Sequence, residues 1–350
     1  MIAKKSIALS VLVALATAPA LNACGSGDST AQAPTPTDQG GGPDGSASMT
    51  ADGGSGRTPD TETDAHADPG PPCSGKTKPA TPDDVWMFAE SGDAGGRSAR
   101  VHVPKGYDPG ASMPVVLDFH GYTSNGAQQE ALTGMIAKAD AAGFIAVHPE
   151  GTGAVPGWNA GACCGTAATT HVDDIAFVNA ILDRLEDKLC VDAHRIYATG
   201  MSNGGFLSHR IACEMSSRIA AVAPVAGVLG VSTCTPSRPI PILHFHGTLD
   251  PLVPYKGSAA MGFPSVADSV AGWVKRDACT GEPVETFRNL DAHCSTYQGC
   301  AAGSEVTLCT VDGGGHTWPG GLQVPSLGYT TPNLSATDMM WSFFKKHPLP

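Results

Sequence analysis

RIYATGMSNGG, residues 195 to 205, compresses three structural signals into one short stretch. The apolar run from Ile196 to Ala198 predicts a strand, Gly200-Met201-Ser202-Asn203-Gly204 a tight turn, and the residues that follow an amphipathic helix. Glycines at 200 and 204 flank Ser202, as a sharp turn requires where a Cβ would strike the neighbouring strand or helix. A serine held in this way stands clear of the sheet. The free amides at the start of the helix behind it can bind an oxyanion. The pattern is G-x-S-x-G, a nucleophile elbow. A chain with 43 glycines also produces it by chance, so later strands must supply a histidine and an acid.

Outward from the elbow, residues 113–119 (MPVVLDF) predict a buried strand that runs into His120-Gly121-Tyr122, and residues 144–148 predict another that ends at Pro149-Glu150-Gly151. Between them Leu132, Met135, Ile136 and Ala139 share one helical face. Val178, Ile181, Leu182, Leu185 and Leu189 predict a helix opened by Asp173 and Asp174, where acids cap free amides and complement the helix dipole. Phe206, Leu207, Ile211 and Met215 mark the helix behind the elbow. Residues 219–228, 240–245 and 306–311 are further strands, and Val266, Val270, Trp273 and Val274 a further helix. Residues 84–90 and 97–103 read as a hairpin. The chain closes on a helix whose start, Ser335 to Asp338, resembles a capping box. This alternation predicts an α/β fold with a mostly parallel central sheet covered by helices on both faces. Sites in such sheets lie at the carboxyl ends of the strands.

The 350 residues are 41% hydrophobic and carry a net charge of −12. Residues 1–23 contain Lys4, Lys5, an apolar run over 7–18 and small residues towards the end, which is the pattern of an export signal. Its apolar core is shorter than the ~20 residues of a membrane-spanning helix. Leu21-Asn22-Ala23-Cys24 resembles a lipobox, so Cys24 is the expected lipid site; the alternative is cleavage after Ala20 and a soluble product. Lipidation leaves ten of the eleven cysteines, an even number suited to disulfides in an oxidising compartment. Residues 24–72 read as a Gly/Pro/Ser/Thr/Asp-rich disordered linker with almost no large apolar side chain. It holds eight acids against Arg57. Residues 73–350 are the expected folded domain, also net acidic, which argues against a nucleic-acid partner. A monomer is expected, touching a membrane only through the lipid on Cys24.

The adjacent Cys163 and Cys164 sit in a glycine-rich loop and are expected to reach separate partners, pinning the loop at two points. Cys279, Cys294, Cys300 and Cys309 contain no C-x-x-C and read as two disulfides rather than a zinc site, with Cys279–Cys300 and Cys294–Cys309 as the working pairing.

Seven histidines compete for the role of base: His120, His148, His209, His244, His246, His293 and His316. His316 lies in DGGGHTWPGG, an exposed loop just past the strand over 306–311. Asp250 follows the strand over 240–245 through His246-Gly247-Thr248-Leu249. The order Ser202, Asp250, His316 suits a strand-elbow-helix serine site. Ser202 is then the nucleophile, His316 the general base, and Asp250 the group that holds the imidazole's tautomer. The backbone N–H of Asn203 is one oxyanion donor, and that of Tyr122 the second, with Thr123 as runner-up. His244 and His246 share a strand face as a possible metal pair but lack a third ligand, so no metal or other cofactor is expected. His246 is expected to orient the Asp250 loop. Asp312 is four residues from His316 along a glycine-rich loop that aims it poorly at the ring, and Asp173 or Asp174 replaces Asp250 only under an unusual sheet order.

Seven ordered motifs carry a resemblance: HGYTSN (120–125), PEG (149–151), WNAG-x-CCG (158–165), VDD (172–174), GMSNGG (200–205), HGTLDPLVPY (246–255) and GGGHTWPGG (313–321). Together they resemble the bacterial polyhydroxybutyrate depolymerase-like esterases, which are similar to feruloyl esterases of the first carbohydrate esterase family. The resemblance implies an α/β-hydrolase fold and a triad of Ser202, Asp250 and His316. Polymer-degrading members usually add a carboxyl-terminal polymer-binding domain, and this chain stops at its last helix. Feruloyl or short acyl esters of plant polysaccharide are therefore expected ahead of solid polyester. Trp158 and Trp318 are candidates to stack on an aromatic acyl group or sugar ring at the rim, the equal alternative being that they pack the loops. The competing readings are a hydroxybutyrate-oligomer depolymerase, a serine peptidase and a non-catalytic surface binding protein.

Overall fold

The computed structural model describes residues 70–88 and 96–350. The expected export signal, Cys24 and nearly all of the expected 24–72 linker lie outside the described residues, as does most of the turn of the first hairpin. Among the described residues, eleven strands form the sheet: β1 (Gly70–Pro72), β2 (Asp83–Phe88), β3 (Arg97–His102), β4 (Ala111–Phe119), β5 (Ile145–Pro149), β6 (Val191–Met201), β7 (Ala221–Val225), β8 (Ile242–Gly247), β9 (Val284–Asn289), β10 (Ala292–Tyr297) and β11 (Val306–Val311). β5, β4, β6, β7, β8 and β11 are parallel neighbours in that order. β3 and β2 extend one edge antiparallel, and β10 and β9 the other. Because the six central strands run the same way, the chain leaves β4, β6, β8 and β11 at one edge. The elbow, the acid and the histidine are brought to that edge by topology.

The strands alternate their side chains between two cores. Val115, Leu117 and Phe119 of β4 face one, with Ile196 and Ala198 of β6, under α4 (Asp174–Lys188), α5 (Asn203–Glu214) and α6 (Val266–Arg276). Val116, Tyr197, Leu243 and Phe245 face the other, under α2 (Met135–Ala142) and α7 (Ala336–Phe344). This is the period-two division of a sheet covered on both sides.

The helix expected around Leu132–Ala139 is two, α1 (Gly126–Thr133) and α2, because Gly134 adopts φ 64° between them. A short helix, α3 (Gly165–Thr169), and the β9–β10 hairpin had no clear periodic signal in the sequence; β9 is mostly exposed along VETFRN. Gly70–Pro72, the end of the expected linker, pairs with β4, and Cys73 beside it is bonded to Cys190. Cys213–Cys234, Cys279–Cys300 and Cys294–Cys309 are further disulfides, the last two paired as the sequence suggests.

Cys163 and Cys164 correct an expectation: they bond each other. The other eight cysteines of the domain are paired among themselves, which leaves this pair no outside partner. The loop is pinned instead by backbone hydrogen bonds. The Ala162 amide donates to Gly230 O at 2.9 Å, and that of Cys164 to Trp158 O at 3.2 Å.

Candidate active site

The β6–α5 junction forms the elbow its sequence predicts. Ser202 sits at φ 57°, ψ −121°, a conformation a non-glycine residue adopts only when its surroundings hold it. Those surroundings are visible. Its amide donates to Val225 O of β7 at 2.9 Å, and its carbonyl accepts from the Phe206 amide of α5 at 2.9 Å. A Cβ at Gly200 would lie 2.6 Å from Phe119 O, and one at Gly204 would collide with the same carbonyl. Only glycines let the elbow pack this closely against the end of β4.

Beyond β8 the carboxylate of Asp250 is held from both sides. Oδ1 accepts the amides of Leu252 at 2.9 Å and Val253 at 2.8 Å, and Oδ2 accepts Nδ1–H of His316 at 2.7 Å. Burial raises the Asp250 pKa, but the hydrogen bond from His316 and the charges and amide around it outweigh burial and hold it below the ordinary value. His316 is placed by its own backbone, whose amide donates to Leu327 O at 2.8 Å. Asp250 and His316 are thus joined. No hydrogen bond joins Ser202 Oγ to the imidazole among the described residues. Asp312 faces His293 at 3.6 Å rather than His316. Asp173 caps α4 through the Ala176 amide at 2.9 Å. Asp174 does more than start the helix: it is buried, with Oδ1 2.7 Å from Arg97 and Oδ2 accepting the Asn159 amide at 2.6 Å. Burial raises its pKa against the opposing charge of Arg97.

The turn after β4 approaches the elbow from the other side; a Cβ on Gly121 would lie 3.3 Å from Ser202 Cβ. The Thr123 amide donates to Pro156 O at 2.9 Å, so the runner-up donor is already committed within the fold. His120 shapes this turn. Its Nδ1–H donates to Gly121 O at 2.7 Å and its Nε2 accepts the Gly151 amide at 2.9 Å, which defines a neutral ring. Burial lowers its pKa from 6.5 to about 4.

Trp158 and Trp318 are not at the rim. Both are 0% exposed. Trp158 Nε1 donates to His120 O at 2.8 Å, and the Asn203 side chain accepts from its amide at 2.7 Å and donates to its carbonyl at 3.1 Å. Trp158 therefore ties the elbow to the turn after β4. Trp318 Nε1 donates to Thr337 Oγ1 at 3.0 Å and packs into the core under α7. The exposed large apolar residues at this edge are others: Tyr122, Val155, Leu249, Leu252 and Tyr329, with Leu249 at 71%. Leu249 and Leu252 flank Asp250, the Tyr329 carbonyl accepts the Gly315 amide, and Val155 precedes the carbonyl that receives Thr123. Their sequence signal was weak, because isolated apolar residues in loops carry no period.

The buried histidines make stability depend on pH. The unfolded chain protonates His120 near its ordinary 6.5, whereas the folded chain resists to about 4. Their contribution is complete above 6.5 and is lost as pH falls through that window. For His120 alone the loss is on the order of 3 kcal/mol below pH 4, and His209, lowered by burial to about 3, adds in the same direction. Asp277, raised by burial to about 6, acts oppositely, as do Asp174 and Glu150, whose pKa values burial also raises. The melting temperature is expected to fall from pH 7 to pH 4; a flat or rising profile by calorimetry would contradict this.

No family model matches the chain. The putative esterase NocK of Nocardia uniformis subsp. tsuyamanensis is 32% identical over 279 residues, covering 71% of this chain and 78% of that protein. Feruloyl esterase B of Piromyces equi is 31% identical over 268 residues, covering 73% of this chain and 46% of that protein, so the chain spans about half the length of this relative. Feruloyl esterase C of Emericella nidulans is 29% identical over 256 residues, covering 71% of this chain and 84% of that protein. Among solved structures, the acetyl xylan esterase from Aspergillus awamori has a TM-score of 0.54 at 13% identity, covering 75% of this chain and 99% of that one, a likeness of fold. With its six parallel central strands, its elbow at Ser202 and these relatives, the chain belongs to the feruloyl esterase-like family of α/β-hydrolases.

Proposed function

We propose that the protein is an exported serine carboxylic ester hydrolase acting through an acyl-enzyme on feruloyl or short acyl esters of plant polysaccharide. The observation that carries the reading is the 2.7 Å Asp250–His316 hydrogen bond, at the sheet edge where the strained Ser202 turn also lies. Asp250 holds His316 with its proton on Nδ1, which leaves Nε2 free to take the proton of Ser202 Oγ. The oxygen attacks the ester carbonyl carbon, and the resulting oxyanion is received by the amides of Tyr122 and Asn203. Collapse expels the alcohol, which leaves with the proton from His316. Water activated by the same imidazole then releases the acid.

The apolar residues around this edge, Leu249 and Tyr329 among them, suit an aromatic or apolar acyl group, and relatives named feruloyl esterases favour the same substrate class. A panel of methyl ferulate, p-nitrophenyl acetate, p-nitrophenyl butyrate, hydroxybutyrate oligomers and a peptide anilide tests it. Methyl ferulate is expected to have the highest kcat/KM, and Leu249→Ser to raise its KM about three- to tenfold by removing apolar contact. Faster turnover of hydroxybutyrate oligomers or of the anilide would replace this substrate class with a depolymerase or a peptidase.

The oxyanion assignment has its own check. A Cβ at Gly157 would lie 2.8 Å from Tyr122 Cδ2 and 3.2 Å from Asn203 Oδ1. Gly157→Ala is expected to displace the Tyr122 turn and lower kcat about a hundredfold or more with little change in KM; an unchanged kcat would remove Tyr122 from the site. The five disulfides support export to an oxidising compartment. Anchoring through Cys24 predicts that Cys24→Ala moves the protein from the membrane fraction to the soluble one, and its retention there would refute the lipid.

A further inference from the structure

Three histidines that the ester-cleavage scheme does not use form a continuous buried chain. Trp273 of α6 donates Nε1–H to His209 Nδ1 at 2.9 Å. His209, on the same helix that starts at the elbow, has Nε2 3.3 Å from His244 Nδ1. His244 Nε2 is 3.1 Å from His246 Nδ1, the two rings stacked on one face of β8. His246 Nε2 is 2.8 Å from Val253 O and 3.5 Å from Asp250 Oδ2. All four side chains are essentially without solvent contact.

The two ends dictate where every proton lies. An indole N–H can only donate and a carbonyl oxygen can only accept. His209 must therefore present a bare Nδ1 to Trp273 and carry its proton on Nε2. The same follows in turn for His244 and His246, whose Nε2–H meets Val253 O. Four protons serve the chain, that on His209 Nε2 being shared with the backbone of Gly227, and a further proton on any ring would set two donors against each other. Burial favours the same neutral state: it lowers the His209 pKa to about 3, His244 well below its ordinary value, and His246 below it. The charged or titratable neighbours are Arg276 near His209, and Asp250, His316 and Tyr255 near His246.

The last link bears on the site. Val253, whose carbonyl receives His246, donates its own amide to Asp250 Oδ1. The chain thus runs from the nucleophile helix to the turn that holds the acid. Apolar side chains could fill this volume without matching four donors to four acceptors, and a buried polar chain that is only partly satisfied is costly.

We propose that the chain Trp273–His209–His244–His246 is a tautomer-locked brace that positions Asp250 to receive His316 Nδ1–H, which makes its three histidines positioning residues for hydrolysis. This rests on the triad reading of Ser202, Asp250 and His316. It is tested on wild-type protein carrying ¹⁵N-labelled histidine, the three rings being assigned through single His→Gln variants. All three are expected as neutral Nε2–H imidazoles from pH 5 to pH 9; an Nδ1–H form, or a ring that protonates in this range, overturns the proposal even if no variant folds.

Kinetics give the second readout. His246→Leu is expected to lower kcat about 10- to 100-fold with KM within twofold, and His246→Gln, which keeps a donor near the Nε2 position, to restore most of it. Trp273→Phe keeps the ring but removes the first proton; it is expected to populate the Nδ1–H form of His209 and lower kcat about threefold or more. Activity surviving Ser202→Ala would defeat the triad reading itself. An inactive Ser202→Ala beside His246→Leu and Trp273→Phe variants that keep the wild-type kcat would defeat the brace alone.

Discussion

Ser202→Ala is expected to lower kcat by about four to six orders of magnitude while leaving the melting temperature near that of wild type. The rate falls because no other hydroxyl is held at the turn between β6 and α5, where the amide of Asn203 begins the helix. The fold survives because Ser202 holds its place through backbone bonds to Val225 O and from Phe206 N, which alanine keeps. KM should change little, since Oγ acts on the reacting carbonyl rather than on the acyl group. A fluorophosphonate probe should label wild type and not the variant. Retention of more than a hundredth of the activity would end the serine mechanism, and labelling of a different residue would move the nucleophile. A non-catalytic binding protein would show neither turnover nor labelling from the start.

The elbow was legible because it joins two periodicities across a turn that only glycines permit. Asp250 and His316 were legible for a related reason: each follows an apolar run that had to be a strand, and parallel strands end at one edge. What was not legible depends on contacts between distant segments. Trp158 was open to either a rim or a loop-packing role because its loop carries no period, and the structure turns its indole inward to His120 O. The adjacent cysteines were misread because their pairing depends on where eight others lie. Asp174 read as a helix-start acid, and its partner Arg97 is 77 residues away in sequence, reached across the sheet at 2.7 Å. His209, His244 and Trp273 were each noted singly, but nothing in the sequence signalled that they bond one another, since those bonds span 35 and 64 positions.

These misreadings share a physical basis. Period and turn chemistry report on a residue's own element, whereas a buried polar side chain is accounted for only by its partner. The Asn203 side chain illustrates this. Sequence assigned it a role through its backbone amide, and the structure adds a paired side-chain contact to both polar groups of the Trp158 backbone. The elbow, the turn after β4 and the cysteine loop therefore meet at one tryptophan, a residue first considered for binding.

The second large effect separates the acid's chemical part from its structural one. Asp250 Oδ1 satisfies two buried amides, while Oδ2 receives His316. In Asp250→Asn the amide oxygen can keep Leu252 N and Val253 N, so its nitrogen is turned towards His316 Nδ1. That nitrogen donates, so the imidazole must accept there and carry its proton on Nε2, where it can no longer take one from Ser202. The expected result is a loss of about four orders of magnitude in kcat near neutral pH with little change in melting temperature. Asp250→Ala leaves both amides without a partner, so it should lose activity and also about 1–3 kcal/mol of stability or more. Asp250→Asn activity within tenfold of wild type would show that another group orients His316. Equal melting temperatures for the Asn and Ala variants would show that the two amides find other acceptors, and the geometry at Oδ1 would then be incidental to holding the acid in place.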